Sequence, residues 1–275
     1  MKRSLIALAL ALILAGGAFA EPSSGAAFFG DSAGIRLDPF ADGGLCLAGA
    51  AGFLGAKVYL RGADLTAAAL PAYSTVNAFD RSLARPYSAG IDTASDILEA
   101  LVLAAPYATA FVLDGEPESG RLRTWKAMAL VAETQLLALG AKDTLKVLIQ
   151  RPRPYNYQAG TPAELLADED SRLSCPSGHT TMAFASSAAA SVLALRFIES
   201  PALKWTVVGL SNGLAAAVGA SRIAAGMHYA TDVAAGAGLG LLVGGLNAYL
   251  HLAESEDQAI SLSLAPTGIS ARIRL

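Results

Sequence analysis

Three short runs of this sequence concentrate the residue types that handle a phosphate-like anion. The first sets Lys146 seven residues ahead of Arg153 and Pro154, the second is Pro176-Ser177-Gly178-His179, and the third joins Ser221 and Arg222 to His228 and Asp232. If the runs converge, Lys146, Arg153 and Arg222 bring three cations together in an apolar chain, which is costly without a compensating anion. A tetrahedral oxyanion supplies it, since arginine forks two oxygens and lysine acts as a point charge. Ser177 and Gly178 stand where a helix begins, so backbone N–H groups and the positive dipole end would face the same anion. Gly178 has no Cβ, which lets the backbone come close.

His228 and Asp232 are four apart and share one helix face. A carboxylate beside one ring nitrogen fixes the tautomer and leaves the other nitrogen to attack phosphorus. His179 is then free to protonate the leaving alkoxide and later to activate water. Negative charge developing on the equatorial oxygens would meet donors already in place. Taken singly, each run has an ordinary structural reading: a core histidine, a cation at a helix C-terminus, a serine-capped turn. Their coincidence carries the argument, because two of the three histidines fall inside them.

At these residues the chain resembles the type 2 phosphatidic acid phosphatase (PAP2) and vanadium haloperoxidase superfamily. The pattern K-x6-RP is met by Lys146, Arg153 and Pro154, PSGH by Pro176 to His179, and SR-x5-H-x3-D by Ser221, Arg222, His228 and Asp232, without a mismatch. Arg151-Pro152 is a second RP, but Thr144 stands where its lysine would be. The resemblance implies a helical bundle in which His228 is the nucleophile, Asp232 orients it and His179 is the general acid and base. It further implies that Lys146, Arg153, Ser177, Gly178 and Arg222 bind phosphate, with no divalent metal and no cofactor. Ser221 is left with a supporting hydrogen bond.

Positioning such a site requires helices. Apolar segments recur near 45–60, 98–113, 125–149, 179–197, 203–221 and 230–252, each long enough for a helix. Pro152 and Pro154 stop the third, because proline removes a donor and restricts the residue before it. The expected fold is all-α, with about six core helices over 45–255 and the motifs within 142–235. Stretches 61–95 and 155–175 read as irregular, and Asp168-Glu-Asp170 as a solvated loop. Tyr155 and Tyr157 are candidates for a substrate entrance. His251, at the end of the last helix, reads as a partner of the helix dipole. In the tail, 256–275, Ile260, Leu262 and Leu264 alternate before Pro266-Thr267-Gly268, and alternation resumes at Ile269. That pattern reads as a hairpin or as a frayed terminus.

Residues 1–20 read as an export signal: Lys2 and Arg3, an apolar run over 5–14, and Ala18-Phe19-Ala20 before Glu21. Residues 21–44 are polar and glycine-rich and read as a linker. Cys46 and Cys175 fit no metal spacing and read as two buried thiols, although export would permit a disulfide. The 275 residues are 53% hydrophobic and 16% charged, and the net charge of −3 excludes a basic nucleic-acid stripe. Mean hydropathy is +0.45. Helices from 179 onward are nearly uncharged and rich in Ala, Gly and Ser, as packed membrane helices are, whereas Lys126, Glu133 and Lys142 would be expensive in lipid.

The expected function is hydrolysis of a phosphate monoester or pyrophosphate ester on a lipid such as phosphatidate, phosphatidylglycerophosphate or a polyprenyl pyrophosphate. The expected place is the inner membrane of the cell envelope, with an extracytoplasmic site. Placing the site there asks one segment not to span, and the short 45–60 segment is the candidate. The alternatives are a soluble periplasmic acid phosphatase of broad specificity, a vanadium haloperoxidase, and a non-catalytic envelope protein.

Overall fold

Asp38 starts the first helix. Its carboxylate accepts from the backbone N–H groups of Phe40 and Ala41, and Pro39 occupies the first helical turn, where no donor is missed. Helix α1 therefore runs Pro39–Arg61, and the stretch expected as linker to residue 44 ends at this cap. In the computed structural model residues 34–113, 119–252, 260–265 and 268–273 are described. The expected signal over 1–20 lies outside them.

After α1 come α2 (Ala78–Leu83), α3 (Ala89–Val112), α4 (Ser119–Ile149), α5 (Ala163–Ala167), α6 (Gly178–Phe197), α7 (Pro201–Ala224) and α8 (Ala230–Leu250). Short 3-10 turns lie at Tyr73–Thr75, Pro154–Tyr157 and Glu169–Arg172. The tail forms an antiparallel pair, β1 (Ile260–Ala265) and β2 (Gly268–Ile273), with Ile260 opposite Ile273. The stretch 61–95, expected to be irregular, contains α2 and the first turns of α3. Residues 89–97 do not form an apolar stretch: Asp92 and Ser95 turn inward and, with the more exposed Asp96, meet Arg222.

Helix α6 is the axis of the bundle. It packs against α3, α4, α7 and α8 and is the most enclosed of the long apolar helices. Its partner α8 approaches so closely that a Cβ on Gly240 would lie 2.4 Å from the Thr181 carbonyl oxygen, and one on Gly244 would lie 2.2 Å from that of Ala185. Helices α1 and α4 meet in the same way, at Gly49 and Gly140. Small residues permit this backbone-to-backbone packing, as in membrane bundles.

Among the described residues five helices, α1, α3, α6, α7 and α8, are long and apolar enough to cross a membrane. Large apolar side chains stand outward on them, among them Leu47, Val58, Ile97, Leu101, Leu210 and Leu242. Such a surface fits lipid rather than water. Lys126 and Glu133, which looked costly in lipid, are buried inside the protein instead. The expectation that 45–60 is too short to span is not met, because α1 has 23 residues.

Candidate active site

The three sequence runs end on one side of the bundle. Lys146 lies in the last turn of α4, Ser177 immediately precedes α6, Arg222 lies in the last turn of α7, and Asp232 lies in the first turn of α8. The α7–α8 connection turns at Gly226, whose φ of +71° is in the left-handed region. A Cβ there would also meet the Arg85 carbonyl oxygen at 2.5 Å, so glycine is required twice over. The connection drops His228 into the interior, where its side chain is 1% exposed.

The histidine is fixed by backbone. Its Nδ1 donates to the Ser174 carbonyl at 2.7 Å, and its Nε2 sits 3.1 Å from Arg153 Nη1. Asp232 Oδ2 is 3.9 Å from Nδ1, too far for a hydrogen bond. It instead accepts from Ser174 Oγ at 2.6 Å and from the Tyr229 N–H at 3.0 Å. Asp232 thus reaches His228 through Ser174 rather than directly as expected. Burial, and next the Arg153 charge, push the imidazole down to about 3, so at neutral pH it is uncharged with its Nε2 lone pair toward the cations.

Arg153 is 3% exposed and donates from Nε to the Asp170 carbonyl and from Nη1 to that of Met227. Its Nη2 pairs with the Asp170 carboxylate, which also receives Lys146 Nζ at 3.3 Å. Asp170 is therefore paired with the cation nest, although its side chain remains 46% exposed. Burial would raise its carboxyl, but Arg153, Lys146 and His228 outweigh that and hold it well below the usual carboxylate range. Burial lowers the Lys146 ammonium to about 8.

Arg222 donates from Nη1 to Asp92 at 2.6 Å and to Ser95 at 2.5 Å, and lies 3.4 Å from Asp96. Its buried Nε has no hydrogen-bond partner among the described residues. His179, in the first turn of α6, places Nε2 2.8 Å from Asp96 and 3.0 Å from Glu99. His179 and Arg222 thus share the Asp96 carboxylate. Ser177 is buried, and its Oγ accepts from Thr180 Oγ1 rather than capping α6. A Cβ on Gly178 would only touch the Lys142 side chain. Ser221 Oγ donates to the Val218 carbonyl in its own helix.

This is a pocket of cations and neutral or carboxylate-paired imidazoles at the ends of packed helices. Residues 127–255 match the family model described as the PAP2 superfamily. Over that stretch the chain is similar to the PAP2 superfamily. Among solved structures it is similar to one described as the first transmembrane PAP2 type phosphatidylglycerolphosphate phosphatase from Bacillus subtilis, at 21% identity and a TM-score of 0.45, over 72% of this chain and 94% of that one. No curated protein matches the chain.

Several partners of the PAP2 motif residues come from outside the matched range. Asp92, Ser95, Asp96 and Glu99 on α3 contact Arg222 or His179. Arg151 bridges Asp232, at 2.5 Å, to Asp80, at 2.8 Å, and lies over the Tyr229 ring. Its place in a second RP, with no matching lysine, was the only sign of it in the sequence. Tyr155 is 1% exposed and packs on Tyr87, Ala225 and Met227, so it braces the His228 connection and lines no entrance. Tyr157 lines a small cavity with Pro71, Asn77 and Arg151. Cys46 and Cys175 are both free thiols, each only partly buried.

Proposed function

We propose that this chain is a phosphatase of the PAP2 type that hydrolyses a phosphate monoester or pyrophosphate ester on a lipid, through a phosphohistidine at His228 and without a divalent metal in catalysis. The observation that carries this reading is the His228 ring, with its Nδ1 proton committed to a backbone carbonyl and its Nε2 lone pair facing Arg153. A nucleophile in that state needs no prior deprotonation. Lys146, Arg153 and Arg222 hold the phosphoryl oxygens, and the unpartnered Arg222 Nε supplies a further donor. Nε2 bonds to phosphorus as the ester C–O–P bond breaks on the alkoxide side of phosphorus, and His179, supported by Asp96 and Glu99, gives the alkoxide its proton. The same imidazole then takes a proton from water, whose oxygen attacks phosphorus and frees His228. Asp170 neutralises two of the cations in the resting protein, and a phosphate dianion competes with it for them.

A lipid alcohol is supported by the outward apolar faces of the five long helices. It is supported again by a cavity of about 930 Å³ between α1 and α4, walled by Phe53, Leu60, Leu139 and Val147 and reaching Lys146 and Asp170. Lys57 and Arg61 line the same cavity and suit an anionic headgroup. We place the protein in the envelope membrane. Detergent-purified protein with chelator present should release phosphate from phosphatidate, phosphatidylglycerophosphate or a polyprenyl pyrophosphate faster than from a short-chain ester, and vanadate should inhibit it. Turnover that depends on added magnesium, or a His228→Ala variant that keeps turnover, would overturn the reading.

A further inference from the structure

At the end of the bundle away from His228, three helices bring one ionisable side chain each to a common buried point. Asp42 comes from the first turn of α1, Glu133 from α4, and His251 from the residue that closes α8. One donor atom from each lies within 4.8 Å of the others. His251 Nε2 is 3.0 Å from Asp42 Oδ1 and 3.5 Å from Glu133 Oε2. The ring cannot turn away, because Nδ1 donates to the Asn247 carbonyl at 2.7 Å. Asn247 is held in turn by its amide, which donates to Thr134 Oγ1 at 2.9 Å. A backbone acceptor on the second nitrogen is how proteins orient a metal-ligating histidine.

Charge and orphaned polarity point the same way. With a neutral imidazole the cluster holds two carboxylates, Glu133 buried and Asp42 18% exposed, and a proton on the ring would compensate only one of them. Glu133 is 3% exposed, yet its Oε1 has no hydrogen-bond partner among the described residues. A buried carboxylate oxygen left bare is expensive. A divalent cation cancels both charges and gives that oxygen a partner. The spacing suits one: metal–ligand bonds of about 2.1 Å set tetrahedral ligand–ligand edges of roughly 3.4 Å, close to the two measured here. An imidazole among carboxylates favours a borderline transition ion over magnesium or calcium, which prefer oxygen alone.

We propose that Asp42, Glu133 and His251 form a structural divalent-metal site of the zinc class, which ties α1 to α4 and α8. The ion stands apart from the chemistry, because Lys146 follows Glu133 by 13 residues on α4, about 20 Å along the helix.

The full chain, purified in detergent, is stripped with chelator, desalted and titrated with Zn²⁺. One zinc should stay with each chain after desalting. The Tm should rise by about 5–10 °C at saturating zinc and fall again with chelator. Asp42→Asn and His251→Gln should lose both effects. Variants that retain zinc as the unaltered chain does would overturn the proposal. Because buried-charge variants can fail to fold, Co²⁺ bound to the unaltered chain is the independent readout: intense visible d–d bands support a low-coordinate nitrogen–oxygen site. Weak hexa-aquo-like bands, with the same Tm in zinc and in chelator, leave His251 an ordinary ion-pair partner and end the proposal. Phosphate release, assayed with chelator below the Tm of the stripped protein, should be unchanged. That separates this ion from any requirement of the His228 chemistry.

Discussion

His228 and His251 each donate Nδ1–H to a backbone carbonyl at 2.7 Å, that of Ser174 at one end of the bundle and of Asn247 at the other. Both are buried. They differ in what faces Nε2: Arg153 in the first case, Asp42 and Glu133 in the second. A carbonyl partner fixes the tautomer in either setting, and the charge opposite the ring then decides the use. A cation keeps the imidazole neutral and draws an anion toward its lone pair. Two carboxylates call for a positive charge between them and the ring.

The largest test of that contrast removes each ring in turn. His228→Ala should lower kcat by on the order of 10⁴-fold or more while vanadate still binds within a few-fold. His251→Gln, per folded molecule, should leave kcat within about threefold and lower the Tm instead. Equal losses of turnover in the two variants would dissolve the distinction. His179→Ala comes next, with a loss of about 10²–10⁴-fold on an alkyl phosphate. On p-nitrophenyl phosphate, whose leaving group needs no proton, the loss should be much smaller, and an equal loss on both substrates would remove His179 from the proton transfer.

Arg151→Ala is expected to cost less. Asp232 loses a charge-assisted hydrogen bond worth about 1.5–3 kcal/mol, so kcat should fall roughly 10- to 100-fold with KM little changed. Arg151→Lys should recover part of it, and a pure KM effect would count against a positioning role. The smallest effect is in the pH profile. Lys146 is charged below about 8 and loses its proton above, so kcat/KM should decline through that range by tenfold or less. Lys146→Arg should move the decline upward. His228, neutral down to about 3, should contribute no limb near neutrality.

The legible part of the site was the part in which residue type and spacing coincide: Lys146, Arg153, His179, Arg222, His228 and Asp232 all lie at helix ends on one side of the bundle. The helices themselves were legible wherever one stretch was apolar. What escaped notice was polar residues placed by packing. Asp92, Asp96 and Glu99 form a helical face, but the apolar criterion saw only a weak segment. Asp170 looked solvated because its two cations lie in other parts of the chain, and Ser174 reaches His228 through a main-chain carbonyl that carries no side-chain signature. His251 was read against the helix dipole, since a pattern within one helix cannot show that Asp42 and Glu133 come to meet it from two others.

The glycine seam between α6 and α8 has a mechanical consequence for turnover. Those helices touch main chain to main chain, and at their catalytic end the Ser177 N–H donates to the Asp232 carbonyl at 3.0 Å. With no side chains between them to repack, the two starts cannot drift independently, so His179 and Asp232, the groups that the proposed mechanism uses as proton donor and as support for His228, ride on a single stiff block. The cavity wall set by α1 lies outside that block. Substitutions there can therefore alter which alcohol is admitted without detuning the gap that phosphorus must cross.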